Sequence, residues 1–164
     1  MASIKFISML LKCSNCKVEN RVLISASTKQ RLKCGKCKSY LFDYELVCGY
    51  LYVLSNKTMP GLVKIGFTDK SVQTRVRELS ASTGVPAGFE VEAFFGSSKP
   101  QEDEMLIHKT FSGYRKPGKE FFALSAESAI SQITGALTRE PLFMRKRHGN
   151  FEDFVKNNDG QIPF

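Results

Sequence analysis

"GYLYVL" (Gly49–Leu54) and "VKIGFT" (Val63–Thr68) decide how the chain is read. In the first, Leu51 and Val53 share one face while Tyr50 and Tyr52 share the other. In the second, Val63, Ile65 and Phe67 alternate with Lys64, Gly66 and Thr68. Period-two alternation is the mark of a strand. The intervening "SNKTMPG" carries the Asn, Pro and Gly of a loop. The two stretches therefore predict a β-hairpin that brings Tyr52 and Lys64 to one face, provided the register agrees.

Downstream, Val72, Val76 and Leu79 stripe a helix over residues 71–81, with Arg75 at the edge of the stripe and Arg77 well away from it. In "FEVEAFF", Phe89, Val91 and Ala93 alternate with Glu90 and Glu92 as a third strand. "PQEDEMLIHKTF" follows as a helix whose Glu104, Ile107, His108 and Phe111 lie on one face. A carboxylate and an imidazole among apolar neighbours need partners or a ligand. Glu102 and Asp103 compete with Glu104 but point further from that face. Ser125 caps a last helix, which packs through Ala126, Ala129, Ile130, Ile133 and Leu137. The fold class expected is α/β (α+β): a small β-sheet flanked by helices.

Upstream, "KCSNCKVENRVLISASTKQRLKCGKCKSY" holds C-x₂-C twice, Cys13/Cys16 and Cys34/Cys37, with seventeen residues between the pairs. Two such turns joined by β-ribbon complete the closed tetrahedron of a structural zinc. Gly35 is expected to ease the second turn. Two disulfides, a redox C-x-x-C pair or chance spacing are the competing readings. A module of this size cannot bury enough apolar surface alone, so the metal replaces a core. Cys48 stands apart, as a small apolar residue opening a strand.

The chain has 164 residues, 42% hydrophobic, with thirteen phenylalanines and a formal charge of +8, which favours an anionic partner. Residues 1–48 hold nine Lys/Arg against three Asp/Glu, a surplus of six; residues 49–138 hold ten against nine, and 139–164 five against four. The surplus sits with the cysteines. Lys33, Lys36 and Lys38 around the second knuckle are candidate nucleic-acid contacts, as are Arg145, Lys146 and Arg147 in a basic C-terminal tail. The ordinary alternative for both groups is a solvated charged surface. The apolar run at residues 6–11 is too short to span a membrane and lacks a secretory cleavage site, so a cytoplasmic protein with reduced thiols is expected.

The ordered set "LYVLSN…GLVKIGFT", "TRVREL", "TGVP", "EMLIH", "EFF" resembles the GIY-YIG endonuclease superfamily. It is closest to the short branch known from bacteriophage and meiotically up-regulated gene products, over roughly residues 49–125. The resemblance implies a phosphodiester hydrolase. Tyr52 would handle the proton of the attacking water, Arg75 would stabilise phosphate charge, and Glu104 would hold one magnesium or manganese ion. Lys64 stands where those enzymes usually carry a second tyrosine, as it commonly does in this branch. It could tune Tyr52 or bind phosphate. His108 could orient phosphate, bind metal or be structural; Glu120 could be a second carboxylate or an ion-pair partner.

The organisation expected is a zinc ribbon over 1–46, a nuclease domain over 47–138 and the tail over 139–164. The function expected is a metal-dependent endonuclease, on DNA before RNA, with the ribbon aiding nucleic-acid or partner binding. A catalytically impaired binding or regulatory protein is the alternative. A third reading makes the ribbon a protein-docking device in a phage or phage-defence assembly.

Overall fold

The computed structural model describes residues 7–24, 30–44, 47–81, 87–116 and 120–158. The segment "TGVP", the turn between the two halves of the ribbon, and the chain's last six residues lie outside that set. The chain divides into two compact units, Met1–Leu46 and Val47–Phe164.

The first unit is a pair of antiparallel hairpins, β1 (Ile7–Lys12) with β2 (Glu19–Ile24), and β3 (Gln30–Lys33) with β4 (Tyr40–Tyr44). Each turns on one cysteine pair, and the two turns repeat one another. Cys13 N–H donates to Val18 O at 2.9 Å and Cys34 N–H to Ser39 O at 2.8 Å. The left-handed residue of each turn is the lysine after its second cysteine, Lys17 and Lys38, both at φ 60°. Gly35, expected to supply that freedom, has no positive φ; its N–H instead donates to Asn20 Oδ1 at 2.9 Å. Each lysine's ammonium returns to a carbonyl of its own turn, Lys17 to Ser14 at 2.7 Å and Lys38 to Gly35 at 2.9 Å. That contact holds a conformation that otherwise favours glycine.

The second unit is a five-stranded antiparallel sheet in the order β8-β6-β5-β7-β9. Its strands are β5 (Gly49–Ser55), β6 (Val63–Thr68), β7 (Glu90–Ser97), β8 (Phe121–Phe122) and β9 (Phe143–Met144). The helices are α1 (Val72–Ser80), α2 (Pro100–Thr110), α3 (Ala126–Leu137), α4 (Arg145–His148) and α5 (Phe151–Asn157). "GYLYVL" is apolar on both faces because it is the central strand and both faces are covered. Leu51, Val53, Val63 and Ile65 pack with Ile107 of α2, with Phe111 just after it, and with Ala129, Ile130 and Ile133 of α3. Tyr50, Tyr52 and Leu54 pack on the other side with Val72 of α1 and Phe151 of α5.

The third strand departs from simple alternation. A register shift between Val53 and Leu54 places Val91 in the second cluster and Ala93 in the first, so they do not share a face. A bulge inserts one unpaired residue and reverses every side chain beyond it. Residues 139–158 are docked within the second unit: β9 pairs with β7, and Phe143, fully buried, stacks on Phe94 at 5.9 Å. Cys48, expected as a small apolar residue opening a strand, directly precedes β5 and is exposed. No helix among the described residues is long and apolar enough to cross a membrane.

Candidate active site

The hairpin register sets Tyr52 opposite Gly66 and Leu54 opposite Lys64, so Tyr52 and Lys64 share the α1 face as diagonal neighbours. Tyr52 is only 1% exposed. Its ring lies directly across Gly66: a β-carbon on that glycine would stand 2.5 Å from the Tyr52 hydroxyl oxygen and 2.8 Å from Cζ. The glycine in "KIG" is thus a requirement of the tyrosine's position.

Ser71 ends the turn after β6 and starts α1, its hydroxyl accepting from Thr74 N–H at 3.1 Å. One turn on, Arg75 reaches the Tyr52 hydroxyl. Burial pushes the Tyr52 phenol above its ordinary value, and the Arg75 guanidinium pulls against it. Arg75 Nη1 lies 3.5 Å from Glu78, while its Nε is buried without a hydrogen-bond partner. A buried guanidinium nitrogen without an acceptor is costly unless a ligand completes it. A cavity of about 230 Å³ opens beside it, lined by Phe67, Thr68, Asp69, Lys70, Arg75 and Glu78. A larger cavity, about 320 Å³ between α3 and α4, shares none of these residues.

Lys64 is 8% exposed. Its ammonium pairs with the Glu120 carboxylate and lies 5.5 Å from the centre of the Phe121 ring. The cation acting on Tyr52 is therefore Arg75, and Lys64 answers Glu120. Burial raises the Glu120 carboxyl, but Lys64, His108 and Arg75 together outweigh it and hold it below the ordinary range. In the sequence Glu120 reads either as a second carboxylate of the site or as an ion-pair partner, and the structure pairs it with Lys64. Its signal is position: Glu120 immediately precedes β8, which pairs with Val63 and Lys64.

Glu104 and His108 approach from α2 and serve the outer edge of β6, which β8 covers only at Val63 and Lys64. The His108 Nε2–H donates to Ile65 O at 3.0 Å, and the Glu104 carboxylate accepts from Phe67 N–H. Burial pushes Glu104 above the usual carboxylate range, and the His108 imidazole beside it opposes the rise. The two side chains stand 3.9 Å apart, beyond hydrogen-bond length. The Ile65 carbonyl fixes the imidazole's orientation and gives His108 a structural task. Tyr52, Lys64, Arg75, Glu104, His108 and Glu120 thus meet around β6 from five elements or their flanking turns.

In the first unit, Cys13, Cys16, Cys34 and Cys37 place all four sulfurs within 4.8 Å of one another. The Cys13–Cys37 and Cys16–Cys34 separations are both 3.6 Å. A tetrahedral zinc with Zn–S bonds near 2.3 Å has S···S edges of about 3.8 Å, so the sulfurs fit that ion. Ser39 Oγ lies 2.8 Å from Cys37 Sγ and 3.2 Å from Cys13 Sγ. Its hydroxyl leads the interactions that lower the Cys37 thiol to about 5, while burial and the neighbouring sulfurs push Cys16 up to about 11, so the four thiols do not ionise alike without a cation among them. Among the described residues these four cysteines are the one cluster of three or more such ligands; Glu104 has no equivalent set around it.

The lysines and arginines expected to meet nucleic acid divide. Lys33 and Lys36 are exposed, whereas the Lys38 ammonium is bonded within its own turn. In the basic run, Arg145 pairs with Glu90 and donates to Val91 O at 3.2 Å, and Arg147 lies 3.3 Å from Glu140. Lys146 is exposed. The two arginines are thus engaged by carboxylates of their own unit.

A family model described as the T5orf172 domain matches residues 49–136, more than half of the chain. No curated protein and no solved structure matches. The chain belongs to the T5orf172 domain family, a GIY-YIG-like, phage-associated endonuclease family.

Proposed function

We propose that the chain is a metal-dependent endonuclease hydrolysing phosphodiester bonds, in DNA before RNA, with a structural zinc in its ribbon. The observation that carries the reading is the convergence of Arg75 and Glu104 on Tyr52, with Arg75 also lining an opening at the end of β6 and its Nε buried and unpartnered. Arg75 faces where phosphate charge would grow, and a cation fixed there stabilises it without reorganising.

Tyr52 is a neutral phenol at neutral pH, since burial raises it and Arg75 only partly offsets that. Its hydroxyl can accept a hydrogen bond from the attacking water and orient it, the water's proton leaving to solvent. Glu104 would hold a magnesium or manganese ion through carboxylate oxygen, the ligand type such ions take. When bound, that ion supplies charge neutralisation and a more acidic water. Lys64, held by Glu120, offers a second cation to the phosphate once the carboxylate yields it. His108 positions the edge of β6 beneath Glu104.

Supercoiled plasmid and single-stranded DNA incubated with magnesium test the reading. Tyr52→Phe, Arg75→Ala and Glu104→Ala should each lower cleavage by about a hundredfold or more, with circular dichroism unchanged. A wild-type protein that cuts no DNA or RNA in magnesium or manganese would overturn it. The second reading, a catalytically impaired nucleic-acid-binding or regulatory protein, draws on one observation, the neutralisation of Lys64 by Glu120. A gel shift without cleavage would favour it.

A further inference from the structure

The two knuckles of the ribbon repeat each other so closely that each serves as a control for its partner. "LKCSNCK" (Leu11–Lys17) and "LKCGKCK" (Leu32–Lys38) share the turn hydrogen bonds, the left-handed lysine and the lysine-to-carbonyl contact. Of what differs, Gly35 and Ser39 bond within the ribbon, to Asn20 Oδ1 and to the cysteine sulfurs, whereas among the described residues no hydrogen bond or ion pair ties the Lys33, Lys36 or Tyr40 side chain to the turn.

Three differences fall together on the second knuckle. The first pairs Lys12 across the strands with Glu19, a carboxylate; the second pairs Lys33 with Tyr40. Asn15 of the first is replaced by Lys36 in the second. The register of β3 and β4 shifts between Leu32 and Lys33, whereas β1 and β2 pair without interruption. A bulge of this kind re-aims the side chains beside it. The outcome is local charge and an open ring. Residues 12–19 carry two lysines and one glutamate, net +1, while residues 33–40 carry three lysines and no acid, net +3. Tyr40 is 53% exposed on this hairpin, in a position where an aromatic ring covers no core.

We propose that the second knuckle is a binding face for nucleic acid with unpaired bases. Tyr40 is the platform on which one base stacks, and Lys33 and Lys36 hold the adjoining phosphates. A ring can stack broadly on a base only where that base has left a duplex, so the face selects a single strand, a flap or a frayed end over continuous duplex. Lysine beside an exposed aromatic is the combination that non-specific single-strand binding uses. The proposal takes its partner from the nucleic-acid reading above, but it does not need the cleavage step.

The test is fluorescence anisotropy of the full-length, zinc-loaded chain on a labelled oligothymidine and on a duplex of equal length. The buffer holds neither magnesium nor manganese, and no chelator, so the ribbon keeps its metal. Single strand should bind more tightly than duplex. Tyr40→Ala should weaken single-strand binding about tenfold or more, and Tyr40→Phe should restore it. Lys33→Ala and Lys36→Ala should each reduce the slope of log affinity against log salt by about 0.7, which Tyr40→Ala leaves unchanged. Lys12→Ala, the matched change on the first knuckle, should have little effect. Zinc content and circular dichroism identify any variant that has lost the ribbon, and Tyr40→Phe carries the test if Tyr40→Ala has. Equal affinity for single strand and duplex, or binding indifferent to Tyr40→Ala in a zinc-replete protein, overturns the proposal. Tyr40-dependent binding by a chain that never cleaves sustains it while removing the nuclease reading.

Discussion

Gly66 and Tyr52 are one feature split between two strands. The phenol ring occupies the volume that any side chain at position 66 would need, 2.5 Å from the built β-carbon to the hydroxyl. Gly66→Ala should therefore destabilise the fold by about 1–3 kcal/mol, read by denaturant unfolding, and should displace the Tyr52 hydroxyl and lower any cleavage. Unchanged stability would mean that the ring moves aside freely. Arg75 bears on the same hydroxyl from α1. Burial lifts the Tyr52 phenol and the guanidinium restrains it, so Arg75→Ala removes the restraint and moves Tyr52 ionisation to still higher pH. Tyrosinate absorbance, with Tyr52→Phe subtracted, reads that shift; movement to lower pH would show that the guanidinium does not act on this hydroxyl. The pairing of Lys64 with Glu120 also belongs at this scale. A lysine in a strand announces its charge but not which acid it will meet, and the acid comes 56 residues later.

At the scale of elements, the sheet is wider than its hairpin suggests. β9 adds a strand beyond β7 through only two pairs, Ala93 with Met144 and Phe94 with Phe143. Phe143 then inserts among Phe94, Phe151 and Phe154, at centroid distances of 5.9, 5.3 and 5.0 Å. Phe143→Ala should cost about 3–5 kcal/mol in thermal or chemical unfolding, as for a fully buried aromatic. A surface-like cost below about 0.5 kcal/mol would show that this segment does not contribute to the core. The same docking explains why the basic run does not stand free: α4 presents Arg145 to Glu90 and Arg147 to Glu140. In the sequence this stretch looks polar and terminal, because its phenylalanines are spaced too widely to mark one long element. The bulge in β7 was hidden for a related reason. Alternation through Phe89, Val91 and Ala93 is equally consistent with an unbroken strand, and only pairing with β5 locates the extra residue.

For the whole molecule, the two units are stabilised by different means. Among the described residues of the first, only Cys13 and Cys34 are buried, and we expect one zinc per chain to hold it. The second has two hydrophobic clusters, one on each face of its sheet. Stripping zinc with a strong chelator should abolish the ribbon's ordered signals in NMR while the second unit's melting transition persists. Elemental analysis of the untreated protein should return about one zinc for each chain. A protein free of zinc with an intact ribbon would remove the metal from this account.

The sequence by itself determined the hairpin, the helix faces and the cysteine cluster, because each rests on local spacing. Period two puts Lys64 and Gly66 on one side, period 3.6 puts Glu104 with Ile107 and His108, and C-x₂-C closes on itself. Tertiary structure alone decided the pairings. It chose Arg75 over Lys64 as the cation at Tyr52, tied Lys64 to Glu120, and set His108 on the Ile65 carbonyl. Those contacts join elements far apart in the chain. Spacing restricts which residues share a face, whereas register, helix docking and the competition among charges for partners determine which of them meet.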